Sequence, residues 1–232
     1  MSHGISGSGF DRSADRYENW YETKRGRRAN DAERRLLRSL LKLDGKKGSL
    51  LEVGCGTGHF TEWLQREAGH RALGLDASTP MLRELRRRGR RFPVVRGDAH
   101  RLPFAARSFD HVLFITTLEF LDDPEVALRE AVRVARSQVV VVWLNPWSAG
   151  GLRRACSPHR RSSGARRLTV SDVRRMLTRS ASDRARDIVW VSSLFPWPLS
   201  TMQLRVPLGD VLGMQLAIAP CPAAEYETEI RR

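Results

Sequence analysis

Glycine occupies three alternate positions where an apolar run of the sequence gives way to helical spacing. The apolar run is residues 50–53, and Gly54, Gly56 and Gly58 follow it. Because glycine has no Cβ and tolerates positive φ, the main chain at such positions can pass close to a bound ligand. The pattern predicts a strand, a glycine turn and the first turn of a helix, arranged to contact a cofactor; the helix is indicated by Phe60, Trp63 and Leu64.

The residues around this turn argue against two common phosphate-binding loops. A dinucleotide fingerprint needs a third glycine three residues after the second, where this sequence has His59. A nucleoside-triphosphate loop needs a Lys-Ser or Lys-Thr pair after the glycines, and none follows here. Asp76 ends the next apolar segment, and a carboxylate there can accept hydrogen bonds from both hydroxyls of a ribose.

Four motifs in this order give the sequence a family resemblance. They are Leu-Glu-Val-Gly-Cys-Gly-Thr-Gly at 51–58, Gly-Leu-Asp-Ala-Ser at 74–78, Gly-Asp-Ala at 97–99 with Leu-Pro-Phe at 102–104, and Ser-Phe-Asp at 108–110. With them the chain resembles the class I methyltransferases that use S-adenosylmethionine, in particular the branch with the ubiquinone and menaquinone methyltransferases. The resemblance covers residues 10–147.

The resemblance implies an α/β fold with a doubly wound, seven-stranded, mostly parallel sheet of the Rossmann-like methyltransferase type, ending in an antiparallel pair of strands. It implies S-adenosylmethionine as cofactor and S-adenosylhomocysteine as product. By this resemblance Asp98 bonds the adenine amino group, and the end of the fourth strand lies under the sulfonium. The implied cofactor-binding residues are Glu52, Gly54, Cys55, Gly56, Gly58, Asp76, Ala77, Asp98, Ala99, Ile115 and Thr116.

Candidates for the acceptor side of the site are fewer. Glu119 follows the fourth strand and could orient or deprotonate an acceptor, or could be an exposed loop acid. Relatives often carry His near this place, so the sequence assigns no general base. Asn145 and Trp147 follow the fifth strand at the edge where ligands bind in open α/β sheets.

An aromatic segment near the amino terminus supplies the remaining candidates. Tyr17, Trp20 and Tyr21 share one helical face. In the resembled family such a segment covers the cofactor and helps to form the acceptor pocket. The alternative is a helix that packs these rings on the domain surface.

The elements that would position these residues follow from periodicity. A helix is predicted from Asn30 to Lys42, with Asn30 as N-cap and Glu33 completing a capping box. Later strands are predicted at 92–98, 110–117, 137–144, 188–197 and 212–219. The predicted organisation is an N-terminal segment with an aromatic cap at 1–29, followed by the cofactor-binding domain at 30–232, which carries a basic loop at 149–167.

Composition limits the class of protein. No apolar stretch approaches the about 20 residues that span a bilayer, and no apolar leader opens the sequence, so we expect a cytoplasmic protein. Three scattered cysteines suggest neither a disulfide framework nor a metal site. The net charge of +14, from 40 Lys and Arg against 26 Asp and Glu, indicates attraction to a nucleic acid or an anionic surface, or else solvated faces. The basic loop is either a mobile lid or a solvated segment.

Three functions therefore stay open. The first is methyl transfer to a small molecule or a lipid- or quinone-like acceptor. The second is methylation of nucleic acid, typically RNA, although Asn145-Pro146-Trp147 only partly matches the motif of enzymes that methylate base amino groups. The third is a binding module without turnover, which the intact motif residues disfavour.

Overall fold

A computed structural model describes residues 14–41, 48–66, 69–148, 150–152, 165–193 and 202–219. These residues form a seven-stranded sheet with the order β3-β2-β1-β4-β5-β7-β6. The strands are β1 Ser49–Val53, β2 Arg71–Asp76, β3 Val94–Arg96, β4 Phe109–Ile115, β5 Ala135–Leu144, β6 Ala185–Ser193 and β7 Val211–Ile218. The helices are α1 Ala14–Glu22, α2 Lys24–Leu41, α3 His59–Arg66, α4 Thr79–Arg87, α5 Pro124–Val134 and α6 Val170–Ala181, with short 3-10 turns at Leu118–Phe120 and Ser182–Arg184.

The strand pairing confirms the predicted fold class. β1 lies parallel between β2 and β4, and β5 continues the parallel sheet beside β4. β7 is antiparallel to both of its neighbours, β5 and β6. The antiparallel pair predicted for the carboxyl-terminal part of the chain is therefore present.

Helices cover both faces of the sheet, and the four valines of β5 show how. Val139 and Val141 pack into one core with α5 and α6, whereas Val140 and Val142 pack into the other with α2 and α3. Successive strand residues point to opposite faces, so a strand covered on both sides is apolar at every position. The result is the layered arrangement in which strand ends of β1, β2, β4 and β5 meet at one edge.

One predicted helix boundary is wrong. α2 begins at Lys24, and its first turn is capped by Thr23, whose hydroxyl accepts the Gly26 N–H at 3.0 Å. Asn30 instead lies inside the helix, where its side-chain oxygen accepts from Arg34 Nε at 3.0 Å, and Glu33 is buried. The capping-box spacing was a coincidence within a longer helix, so the 29/30 boundary of the predicted organisation falls inside α2.

Several expectations lie wholly or partly outside the described residues. The side chain of Tyr17 is among them, although its main chain belongs to α1. Of the basic loop, only 150–152 and 165–167 are described, and the predicted strand at 188–197 is described only to 193. Within the described ranges, every helix is too short or too polar to cross a membrane.

Candidate functional site

A cavity of about 640 Å³ opens at the edge where the strands of the parallel sheet end. Its wall contains the loop after β1, the end of β2, the turn after β3 and the turn after β4. Eight of the eleven residues predicted to bind a cofactor line it, namely Gly54, Gly56, Asp76, Ala77, Asp98, Ala99, Ile115 and Thr116. The other three, Glu52, Cys55 and Gly58, are not part of its lining.

The three glycines of the first loop do different work. A Cβ on Gly54 would lie 2.2 Å from Thr117 Cγ2, and one on Gly58 would lie 2.3 Å from Phe92 Cζ, so both positions are closed by the protein itself. A Cβ on Gly56 would find its nearest neighbour at 4.0 Å, the sulfur of Met81. The main chain at Gly56 is thus the part of the loop that a ligand in the cavity can approach.

Asp76 fixes this loop to the end of β2. One carboxylate oxygen accepts the Gly56 N–H at 2.6 Å, and the other accepts the Ser78 N–H at 2.8 Å. Ser78 in turn caps α4. A carboxylate oxygen can accept more than one hydrogen bond, so Asp76 can hold the loop and still accept from hydroxyls of a ligand in the cavity.

A second carboxylate, Asp98, lines the cavity from the turn after β3. Its oxygen accepts from His100 N at 2.9 Å and from His100 Nδ1 at 2.7 Å. The Asp123 N–H donates to His100 Nε2 at 3.2 Å, which leaves the ring proton on Nδ1, facing Asp98. Burial would raise the pKa of Asp98, but these bonds outweigh it and lower the pKa, so the group is an anionic acceptor at neutral pH.

The turn after β4 carries backbone strain. Thr116 has φ 48°, a left-handed conformation that a β-branched residue rarely adopts. Its N–H donates to Val142 O at 2.8 Å, and the hydroxyl of Thr117 donates to Ile115 O at 3.0 Å. These bonds hold the strained turn in place beside the cavity. A turn held this way gives a binding site its shape before the ligand binds.

The side chains of Glu52, near the end of β1, and Cys55, in the loop itself, are buried and lie outside the cavity lining. Glu52 accepts from the Thr61 hydroxyl of α3. Burial, together with the charge of Asp76, raises the pKa of Glu52 to about 8 despite that bond. Burial likewise raises the pKa of the Cys55 thiol, so this cysteine is a packed, protonated residue.

Helix α1 is anchored to the glycine loop and to the start of α3. Glu18 of α1 accepts from the Thr57 hydroxyl and from both terminal nitrogens of Arg90, at 2.7 and 3.1 Å. Tyr21 stacks on His59 with ring centroids 4.2 Å apart. Sequence reasoning missed Glu18 and Arg90, because nothing local marks residues that meet across 72 positions.

None of the predicted acceptor residues whose side chains the structure describes lines the cavity. Tyr21 is buried and Trp20 is 40% exposed, and neither belongs to the cavity lining. Asn145 is buried and donates to the carbonyls of Pro207 and Gly209, so it ties two loops together. Trp147 is 60% exposed.

Glu119 is buried, so the alternative of an exposed loop acid is wrong. Its side chain accepts the Leu144 N–H at 3.3 Å, and its carbonyl accepts the Arg166 N–H at 2.7 Å. It joins the end of β5 to the segment before α6 and is not part of the cavity lining. Its neighbours in the cavity wall, Phe120 and Leu121, were not predicted, nor was His100.

A buried carboxyl, Glu33 of α2, faces Glu119 and receives a hydrogen bond from Tyr21. Burial, reinforced by the charge of Glu119, raises the pKa of Glu33 to about 8. In the unfolded chain both carboxyls have a pKa of 4.5. The folded protein therefore keeps Glu33 and Glu52 protonated at pH values well above 4.5.

Stability is expected to fall as the pH rises through this interval. Each retained proton stabilises the fold fully below pH 4.5, and its contribution is lost as the pH approaches 8. The limiting slope is about 1.4 kcal/mol per pH unit for each proton. Glu33→Gln should remove one of these contributions and flatten urea-unfolding free energies measured between about pH 5 and pH 8. The exposed Glu22→Gln is the control, and an unchanged slope in Glu33→Gln would contradict the assignment.

Comparison with known proteins agrees with this geometry. Residues 51–142 match the family described as Methyltransferase domain. Malonyl-[acyl-carrier protein] O-methyltransferase of Hamiltonella defensa is 30% identical over 138 residues, which are 59% of this chain and 50% of that protein. Demethylmenaquinone methyltransferase of Roseiflexus is 40% identical over 103 residues, 42% of each chain.

The chain spans about half the length of the curated relatives it matches. A solved structure from Thermotoga maritima, described as a SAM-dependent methyltransferase and possible histamine N-methyltransferase, aligns with a TM-score of 0.73. That alignment covers 92% of this chain and 100% of the other at 23% identity, so it supports the fold. Together with the motif residues around the cavity, the family and relative matches identify residues 51–142 as a methyltransferase domain of the class I, S-adenosylmethionine-dependent type.

Proposed function

We propose that this chain transfers a methyl group from S-adenosylmethionine to a small, lipid- or quinone-like acceptor. The observation that carries the proposal is the placement of Asp76 and Asp98 in one cavity, with the approachable main chain of Gly56 and the strained Thr116 in the same wall. Two anionic acceptors suit the hydroxyls and the amino group of a nucleoside. The cavity of about 640 Å³ is of the size that holds a small-molecule ligand.

S-adenosylmethionine, when bound, supplies a methyl group already activated by positive sulfur. The protein's contribution is then alignment and exclusion of water. Asp76 and Asp98 would hold the nucleoside, and Thr116 would fix the position of the reacting end through its locked main chain. We assign proton abstraction to no residue, because Glu119 lies outside the cavity lining and an acidic phenol or activated carbon needs no strong base.

The acceptor class is supported by the relatives and by the surface of the chain. One relative is named for demethylmenaquinone, and exposed apolar side chains flank the end of β5. The net charge of +14 favours a second candidate, methylation of RNA. The hydrogen bonds from Asn145 to two main-chain carbonyls argue against RNA methylation, because they engage within the protein the side chain that would contact a base.

The test measures methyl transfer from labelled S-adenosylmethionine to four candidate acceptors: reduced demethylmenaquinone, malonyl-[acyl-carrier protein], histamine and unmodified tRNA. In parallel, an extract of the source cells is labelled and separated into lipid, small-molecule, nucleic-acid and protein fractions. Label in the quinone or in the lipid fraction is the expected result. Label confined to RNA or protein would overturn the acceptor class. Tight S-adenosylmethionine binding without label in any fraction would favour the binding module.

A further inference from the structure

Exposed apolar side chains of the described residues concentrate in two short segments. Five of the seven large ones fall within 145–152 and 202–209, and these are Trp147, Leu152, Met202, Val206 and Leu208. Leu208 is 67% exposed and Trp147 is 60% exposed. Apolar groups gathered this way on a protein surface mark an interaction site more often than scattered ones do.

The two segments are neighbours in space. Asn145 Nδ2 donates to the carbonyls of Pro207 and Gly209, each at 2.9 Å, and these residues flank Leu208. The Trp147 N–H donates back to Asn145 Oδ1 at 3.0 Å. Trp147 and Leu208 therefore stand on adjoining turns, held together by one buried amide.

Arginines surround these apolar side chains. The Arg167 guanidinium lies 4.4 Å from the Trp147 ring centroid, and Arg166 and Arg205 are exposed. The described residues of 145–152, 165–168 and 202–209 include three arginines and no Asp or Glu. The nearby Asp210 is engaged with the Gly150 N–H at 3.0 Å. We call the surface formed by Trp147, Leu152, Met202, Val206 and Leu208 with Arg166, Arg167 and Arg205 the basic apolar face.

This face adjoins the mouth of the cavity. Arg166 donates to the carbonyls of Leu121 and Asp122, at 3.3 and 2.6 Å, and both of those residues line the cavity. The face follows β5 and precedes β7, so it belongs to the sheet edge at which the cavity opens. Anything resting on the face would lie beside the entrance.

We propose that the basic apolar face docks on an anionic lipid bilayer and presents the cavity to an acceptor dissolved in that membrane. The chemistry is that of an interfacial site: tryptophan and aliphatic side chains enter the headgroup region while arginines meet lipid phosphates. This inference rests on the proposed function for the acceptor, but docking itself requires no cofactor.

The experiment is co-sedimentation of the full chain with vesicles of phosphatidylcholine, with and without about one-third phosphatidylglycerol, at about 0.1 M salt. Binding is expected only with the anionic lipid. The double variant Trp147→Ala with Leu208→Ser should bind about tenfold more weakly, and Arg205→Glu should lose a similar factor. The matched controls are Val189→Ser, an exposed apolar residue in the middle of β6, and Arg186→Glu, near the end of β6 that is far from the face; both should bind as the parent does.

Equal binding to both vesicle types, or equal losses in the control variants, would overturn the proposal. Binding to single-stranded RNA without binding to anionic vesicles would overturn it as well and would assign the arginines to nucleic acid. S-adenosylmethionine affinity, measured by calorimetry on the parent and on Leu208→Ser, separates the two proposals. If affinity is absent while vesicles bind, the proposed function fails alone; if affinity is intact while vesicles do not bind, docking fails alone.

Discussion

Asp76→Ala is expected to weaken S-adenosylmethionine binding by about tenfold to a hundredfold, the effect of losing hydrogen bonds to a charged acceptor. Two losses combine in this variant. The cavity loses the carboxylate that would accept ribose hydroxyls, and the Gly56 N–H loses the partner that now holds it at 2.6 Å. Calorimetry with S-adenosylmethionine and with S-adenosylhomocysteine should show the same decrease, since both carry the ribose.

Two variants separate these contributions. Asp76→Asn keeps an acceptor for one main-chain N–H but removes the charge, so its affinity should lie between those of the parent and Asp76→Ala. Asp187→Ala, on the exposed part of β6, should bind as the parent does. Undiminished affinity in Asp76→Ala would refute the ribose assignment.

Arg90→Met is expected to lower the free energy of unfolding by about 3 kcal/mol, as measured by urea denaturation at neutral pH. The Arg90 side chain is only 10% exposed and its partner Glu18 only 5%. Arg90 also donates to Thr57 O at 2.6 Å and to Glu62 at 3.0 Å. Removing it leaves the buried Glu18 carboxylate with only the longer ion pair to Arg88 at 3.6 Å, and the loss of its main partner costs more than the Arg90 pair itself contributes.

The double variant Glu18→Gln with Arg90→Met should recover part of this loss, because no charge is then left buried. Burial would raise the pKa of Glu18, but bonds from Arg90 and Thr57 lower it below 4.5. Its contribution is therefore present above pH 4.5 and is lost as the pH falls through the folded-state value, a loss that both variants should lack. Arg86→Met, exposed on α4, is the control, and an equal effect there would contradict the argument.

Local signals explain what the sequence could predict. Asp76 ends β2 and Asp98 follows β3 by two residues, so short-range spacing was enough to place both at the ends of strands. The four consecutive valines of β5 predict a strand that is buried on both faces, because residues pointing to either face are apolar.

The parts that sequence reasoning missed depend on contacts between distant segments. Glu18 and Arg90 are unremarkable among many charged residues, and only the folded chain brings them to Thr57. Asn145 was expected at the acceptor, but its amide serves the 207–209 turn, which no spacing rule links to it. The burial of Glu119 likewise follows from the end of β5 packing over it.

The position of β7 has a consequence for synthesis on the ribosome. β7 lies between β5 and β6, and Val139 of β5 pairs with Leu216, so the strand made last inserts between two made earlier. While β7 is still unmade, the outer edge of β5 stays open and β6 has no partner strand in the described sheet. In a nascent chain the outer edge of the apolar β5 would thus stay unpaired while α6 and β6 are synthesised. During this interval a chaperone that binds extended apolar segments would protect the chain most from aggregation.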